Sequence, residues 1–385
     1  MNRKSIWGVV LVLLSAFVGS ASGTLYASTI SLHAEKLGAP HCIVTALPMG
    51  FPSIIGLIIL LPVGILADRT GRRKQIVLAA MAVTIVANVG LAFSNSWITL
   101  SIWRIFSGLP FSFMPLYVVL VSFMFSEQKR GSAVSLASGS GMLGMGVSQA
   151  LSGYLENVMG GSVGLYYLAA VLAVLAFLFL LPVKIPVIKN PTGISGKNIG
   201  AVIQNKAIIY IGITLMIYLT GWYAIYGSFP VVQVNVFHTS GELVSVIFAV
   251  ISVMLGLGTF IWGPVIDKIG AKKTLFIALS ISASATFIML PLLSSKWAYV
   301  LLFWLGTIGG VAGSPCASFF AIKIVKPELT TIGINMIFMF VMLAGIIGGF
   351  IAGPLIAGIE LFGMILVAAI LELIGVVMLF GISDM

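Results

Sequence analysis

Arg104 stands inside a long run of apolar residues. A charged side chain in such a run is costly to place in hydrocarbon and by default marks a function. Its planar fork of donors suits an anionic or strongly hydrogen-bonding group. Tyr218, Trp222 and Tyr226 recur every four residues, which puts them on one face of a helix, with Tyr223 beside them. Their hydroxyl and indole groups want polar partners, so this face either lines a cavity or packs as aromatic bulk. Asp68 is followed by Arg69, Arg72 and Arg73 and can accept charge-assisted hydrogen bonds. No zinc-ligand spacing, phosphate-binding loop, dinucleotide fingerprint or hydrolase elbow occurs. His33, His41 and His238 do not cluster in sequence. No metal, no cofactor and no enzymatic activity are therefore expected.

The elements that hold these residues follow from composition. Hydrophobic residues make up 60% of the 385, and charged residues only 8%. A soluble fold could not hide so much apolar surface, whereas lipid removes the need to hide it. Each membrane-crossing helix needs about 20 apolar residues, so the chain has room for a dozen. Apolar runs predict helices near 7–30, 43–66, 75–93, 97–124, 131–155, 163–182, 207–236, 243–266, 274–293, 297–322, 330–358 and 363–382. The first run is longer than a signal-peptide core and is expected to be retained. Cys42 and Cys316 fall in different helices, and no disulfide is expected between them.

The longest polar connection, Lys184 to Lys206, contains Pro186, Pro191, Gly193, Ser195 and Gly196, a linker composition. It divides the chain into a six-helix bundle over 1–183, a linker over 184–206 and a second bundle over 207–385. With the N-terminus cytoplasmic, 17 of the 20 basic residues fall on the inner side, and only Lys36 and Lys296 on the outer. That is a positive-inside pattern for a multi-pass protein of the cell membrane with both termini cytoplasmic. It also accounts for the formal charge of +10, which forms no continuous basic face with stacking aromatics, so nucleic acid is not an expected partner.

The segment from Gly64 to Lys74 (GILADRTGRRK) recurs from Gly263 to Lys273 (GPVIDKIGAKK). Gly64 with Gly263, Asp68 with Asp267, Arg69 with Lys268, Gly71 with Gly270 and Arg73 with Lys272 all match at one offset (263 − 64 = 199). Such a repeat implies two related halves. The pattern resembles the signature loop of the major facilitator superfamily. The second copy is degenerate, because Ala271 replaces the first basic residue after Gly270. The resemblance implies an all-α membrane protein of twelve helices in two pseudo-symmetric six-helix bundles. It also implies that Gly64, Asp68, Arg69, Gly71, Arg72 and Arg73, with Asp267, Lys268, Gly270 and Lys273, form a cytoplasmic gate. In that family the loop stabilises the outward-facing state. The competing reading is that the basic residues only fix topology, which would not need the aspartate or the glycines. Gly64 and Gly71 suit close helix approach and a sharp turn.

Arg104-Ile105-Phe106-Ser107-Gly108 is similar to the family's motif in the fourth helix, whose Arg is linked to proton or substrate coupling. Against this, Arg104 lies seven residues from Trp97 and could snorkel to the outer surface. The antiporter Gly-Pro pair is absent near Ser148 and Gln149. Gly353-Pro354 in the eleventh helix gives a similar bend in the second half, and the small residues of the fifth and eleventh helices read as close-packing positions. Gly227 and Pro230 read as a break in the seventh helix over a cavity. Tyr26 and Gln149 join Arg104, Tyr218, Trp222, Tyr223 and Tyr226 as candidates for substrate or coupling. Gln149, with Asn88 and Asn335, is also an isolated amide of the kind that bridges helices. Glu372 is the one acid deep in a predicted helix, but the twelfth helix is peripheral in this family, so packing is as good a reading as function. The expectation is a symporter or uniporter for a small neutral or anionic organic solute, working by rocker-switch alternating access as a monomer in the bilayer, with protons or another ion as possible partners. The alternatives are a proton-coupled multidrug exporter and, from another class, a membrane sensor on the same scaffold. Sensors of that kind add long soluble tails, and only a few residues follow the last predicted helix.

Overall fold

The computed structural model describes residues 3–122, 124–125, 130–184, 196–325 and 329–382. The side chains of Asp68 and Asp267 and the linker residues 185–195 lie outside the described residues. So do Lys129, Lys189 and Lys326 of the positive-inside reading.

Apolar sequence gives helix almost throughout, because lipid offers the backbone no partners. We number the passes α1 (Arg3–Thr24), α2 (Gly50–Thr70), α3 (Arg73–Ala92) and α4, the last built of three pieces (Trp97–Ser107, Leu109–Ser112 and Met114–Ser122). They continue as α5 (Arg130–Val158), α6 (Ser162–Leu180), α7 (Lys206–Asn235), α8 (Gly241–Ile269) and α9 (Ala271–Met289). The tenth, α10, has two pieces, Lys296–Gly310 and Gly313–Ile324. One helical stretch, Thr330–Met378, holds α11 and α12, divided where Ile359 and Glu360 leave helical geometry. Short helices precede α2 (His41–Ala46), follow α1 (Ile30–Lys36) and precede α7 (Gly196–Ile203).

Among the described residues nine segments are long and apolar enough to cross a membrane. The number is below twelve for physical reasons. The span Ile332–Gly381 holds two passes, α4 is broken, and six glycines and six serines dilute the hydropathy of α5. The result is two six-helix bundles.

Two expectations about breaks need correction. The first predicted helix ends early, at Thr24, and the chain turns before Ile30. The seventh does not break: α7 stays helical through Pro230. Gly227 serves a contact instead, since a Cβ there would lie 2.4 Å from the Thr45 carbonyl oxygen.

Among the described residues, most hydrogen bonds between the halves lie at the face opposite the basic helix ends. There Thr45 Oγ1 donates to the Gly349 carbonyl at 2.8 Å and accepts from the Gly353 amide at 3.1 Å. Asn235 donates to Glu35 at 2.9 Å, Asn157 donates to Glu242, and the Ser28 and Ser245 hydroxyls lie 3.3 Å apart. Backbones meet closely here, as a Cβ on Gly349 would fall 3.1 Å from Ala46 Cα, and one on Gly353 would fall 2.3 Å from the His41 carbonyl oxygen. At mid-depth Thr259 reaches Met142 at 3.1 Å. Toward the basic face, Asn335 donates to the Leu60 carbonyl at 3.0 Å.

The repeated loops explain their glycines. Gly71 caps α2 at φ 67°, and Gly270 follows α8 at φ 82°, both in the left-handed region. The two copies differ one turn earlier. A Cβ on Gly64 would lie 2.6 Å from the Asn335 amide, whereas one on Gly263 meets open space. The first copy is therefore pressed against the other half and the second is not. Gly71→Ala is expected to cost roughly 1–2 kcal/mol through backbone strain. Gly64→Ala is expected to cost about 1 kcal/mol, because it displaces the Asn335 hydrogen bond. Gly263→Ala should be neutral or slightly stabilising. Parallel thermal unfolding in one detergent checks this, and equal losses at Gly64 and Gly263 would remove the asymmetry.

Candidate functional site

Arg104 is 2% exposed, so it does not snorkel. Its Nε donates to the Leu47 carbonyl at 2.9 Å and Nη2 to the Pro48 carbonyl at 2.9 Å. Nη1 donates to the Gly23 carbonyl at 3.0 Å and to Ser107 Oγ at 3.2 Å. These oxygens are available for local reasons. Gly23 lies in the last turn of α1, where carbonyls lack helical partners and the dipole favours a cation. Leu47 and Pro48 lie in the gap between the short helix His41–Ala46 and α2. Gly108, which ends the motif, lets α4 approach α2: a Cβ there would fall 2.5 Å from Pro52 Cα. One guanidinium thus ties α1, α2 and α4 together, and the partners of these hydrogen bonds are all uncharged.

Tyr26 lies under this group, with its ring centroid 5.0 Å from Arg104 Cζ. Its hydroxyl donates to Asn88 Oδ1 at 2.8 Å, and its ring meets Tyr166 edge-on at 5.1 Å. The Tyr166 hydroxyl is 2.8 Å from His33 Nδ1. Burial first, and the charge of Lys36 second, hold the His33 imidazole below its ordinary value.

Arg104, Ser107, Thr24, Met49, Met145 and Tyr226 are among the residues around a pocket of ≈ 30 Å³. That is room for a water or two and not for an organic solute, so the site is closed down in this structure. Tyr226 enters from the second half, and its hydroxyl lies against the Gln149 side chain of α5. Trp222 stacks on Tyr226 with centroids 5.1 Å apart and on Phe303 at 5.8 Å. Tyr223 packs edge-on against Trp222 at 5.2 Å.

The structure therefore brings Arg104, Tyr26, Gln149, Trp222 and Tyr226 together. Tyr218 faces away from the pocket, toward α9 and α12. At the basic face Arg69, Arg72, Lys268 and Lys273 are exposed and Arg73 is buried. Sequence reasoning missed Asn88 as the partner of Tyr26, and it missed Tyr166, His33 and the backbone acceptors. The run Leu47-Pro48-Met49-Gly50-Phe51-Pro52 carried a signal for the acceptors, since two prolines so close must free carbonyls from the helix ladder.

The sequence model of the Major Facilitator Superfamily matches residues 12–234 and, a second time, residues 211–384. The chain belongs to the Major Facilitator Superfamily. Solved structures of superfamily transporters share its fold. The human organic anion transporter MFSD10 (TETRAN) aligns with TM-score 0.75 at 14% identity, over 98% of this chain and all of that one. A bacterial homologue of the human lysosomal transporter Spinster, inward-facing and occupied, aligns with TM-score 0.78 at 13% identity, over 100% of this chain and 97% of its own. The nucleoside transporter NupG aligns with TM-score 0.77 at 16% identity, over 98% of each chain. A comparison with curated protein sequences gave no significant match. As a superfamily member the chain is a multi-pass membrane transporter.

Each hydrogen bond from a charged donor contributes about 1.5–3 kcal/mol, so Arg104→Ala should destabilise the protein by roughly 3 kcal/mol or more. Arg104→Lys keeps the charge but cannot reach Gly23, Leu47 and Pro48 at once, and it should recover about half of that loss. Unfolding of the two variants in detergent measures the difference. An unchanged melting temperature in Arg104→Ala would remove the tie between α1, α2 and α4.

Proposed function

We propose that the chain moves a small neutral or anionic organic solute, by secondary active or facilitated transport, through rocker-switch motion of its two bundles. The observation that carries this reading is the buried Arg104 guanidinium, held by neutral oxygens beside a pocket to which both halves contribute. A cation with no carboxylate partner among the described residues sets a positive potential in a low-dielectric site and disfavours cationic solutes. The names of the structural relatives include an organic anion and a nucleoside transporter, so the fold does not choose the solute, and Arg104 is the feature that does. A proton-coupled exporter of lipophilic cations needs an acid that alternates between proton and drug. None of the described residues lining the pocket is acidic.

In this reading residues 1–183 and 207–385 are the two moving bundles, joined by residues 184–206. The basic face is cytoplasmic in the cell membrane, with both termini there. The contacts at Thr45, Gly349 and Gly353 then close the outer side. Asp68, Arg69, Arg72 and Arg73, with the degenerate copy at Asp267, Lys268, Gly270 and Lys273, form the gate that closes the inner side in the opposite state. The protein works as a monomer.

Two measurements test this. Organic anions added to purified protein should raise its melting temperature more than lipophilic cations do. The best of them should then show counterflow in proteoliposomes, lost in Arg104→Ala and only partly restored in Arg104→Lys. Stabilisation by cations alone, with pH-gradient-driven efflux of those cations, would favour the exporter. For the gate, Asp68→Asn should remove a contact worth about 1.5–3 kcal/mol and shift spin-label distances across the basic face toward the open form, with slower transport. Distances identical to the unmodified protein would leave Asp68 without a gating role.

A further inference from the structure

The acid expected on a peripheral helix is not peripheral. Glu372 of α12 is 0% exposed. Its Oε2 accepts from Thr286 Oγ1 at 3.0 Å and from Ser282 Oγ at 3.4 Å, both on α9. Its Oε1 has no hydrogen-bond partner among the described residues. From α7, Tyr218 lies within electrostatic reach of the carboxyl and beside Ser282. Ser282, Thr286 and Tyr218 are the polar groups facing Glu372 from the elements around it, and none is basic.

The face of α7 that reaches this carboxyl through Tyr218 carries two donors without an aligned partner among the described residues. Tyr218 hydroxyl and Trp222 Nε1 are buried and lack well-aligned acceptors. Both point at the notch left by Gly310 of α10, where a Cβ would lie 3.5 Å from the Tyr218 oxygen and 3.8 Å from Trp222 Nε1. Gly375 of α12 makes the same face tight, since a Cβ there would fall 2.5 Å from Tyr218 Cβ. From Trp222 the ring stack continues to Tyr226 and the pocket beneath Arg104. One face of α7, through Tyr218, Trp222 and Tyr226, thus runs from a buried acid in the second half to the central pocket.

We propose that Glu372 is a proton-binding site, and that the aromatic face of α7 couples its occupancy to the pocket. The chemistry balances as one proton taken from or returned to water. The carboxylate plus a proton gives a carboxylic acid, whose new O–H sits on the unengaged Oε1 and can donate to the Tyr218 phenol oxygen. Loss of the proton leaves a buried charge with two neutral donors on one oxygen. That charge draws the Tyr218 O–H toward Oε1, and the Trp222 indole, whose Nε1 shares the Gly310 notch with the Tyr218 hydroxyl, shifts with it. An isolated buried carboxylate is unfavourable unless such donors answer it, which is why the orphan donors of α7 matter. The role as a coupling site rests on the transport reading above, whereas the test does not.

The test is infrared difference spectroscopy of the purified, lipid-reconstituted protein between acidic and alkaline pH. A carbonyl band of a buried protonated carboxyl should be lost as pH rises in the unmodified protein and be missing in Glu372→Gln, whose melting temperature confirms that it is folded. Glu372→Asp should retain the band with a displaced midpoint, and Tyr218→Phe should retain it with a changed frequency. Tryptophan fluorescence should titrate over the same pH interval, and the change should disappear in both Glu372→Gln and Trp222→Phe. A band that survives in Glu372→Gln, or the absence of any titrating buried carboxyl in the unmodified protein, would overturn the proposal. So would an unchanged fluorescence titration in Glu372→Gln. Failure of counterflow with the infrared result intact would count against transport and leave the proton site standing.

Discussion

The positive charge of Arg104, which no carboxylate answers among the described residues, is the constraint around which the first bundle is arranged. A guanidinium in a low-dielectric interior has to spend its donors on something. Here they go to Gly23, Leu47 and Pro48, carbonyls released because α1 stops at Thr24 and α2 does not begin until Gly50. The irregular backbone and the buried cation therefore require each other. Without the cation the freed carbonyls would be unpaired in hydrocarbon, and without the helix breaks the cation would have no acceptors. The same breaks place Thr45 and His41 against α11, so the geometry that satisfies Arg104 also shapes the seam between the halves.

Where α7 and α11 meet the segment before α2, that seam brings backbone close to backbone. Gly227, Gly349 and Gly353 bring α7 and α11 against the segment before α2 at distances no side chain would permit. Contacts of this kind have high shape complementarity and little rotamer entropy to lose, which suits surfaces that part and rejoin. Toward the basic face, by contrast, the hydrogen bond described across the seam runs from Asn335 to Leu60, with Gly64 beneath it.

Much of this was legible in the sequence, for specific reasons. Hydropathy and the clustering of basic residues mark out the passes because lipid imposes one rule on every helix. The glycines at 71 and 270 announced themselves by recurring at the same offset, and both proved to hold left-handed backbone. Tyr218, Trp222 and Tyr226 were visible as one face because helical geometry fixes four-residue spacing. What that face touches was not visible, and it divides: Tyr226 turns to the pocket, while Tyr218 turns to Glu372. The partners of Arg104 were hidden because carbonyls carry no residue identity. The break expected at Gly227 and Pro230 did not occur, since glycine can serve a neighbour's approach as readily as a bend. That Glu372 points inward was not legible, because the place of a helix in a family says nothing about which way one of its residues points.

Glu372 also bears on how the chain is put together at the ribosome. An ionisable group on a nascent span meets the bilayer before it meets its fold, and its insertion is opposed until partners are present. Tyr218, Ser282 and Thr286 all precede Glu372 in the chain. By the time α12 emerges, the hydroxyls of α9 and the phenol of α7 have been synthesised and can receive it. The break at Ile359 and Glu360 is only two residues long, so α12 follows α11 directly. The order of the helices along the chain thus puts the buried acid of the second bundle after the hydroxyls that face it.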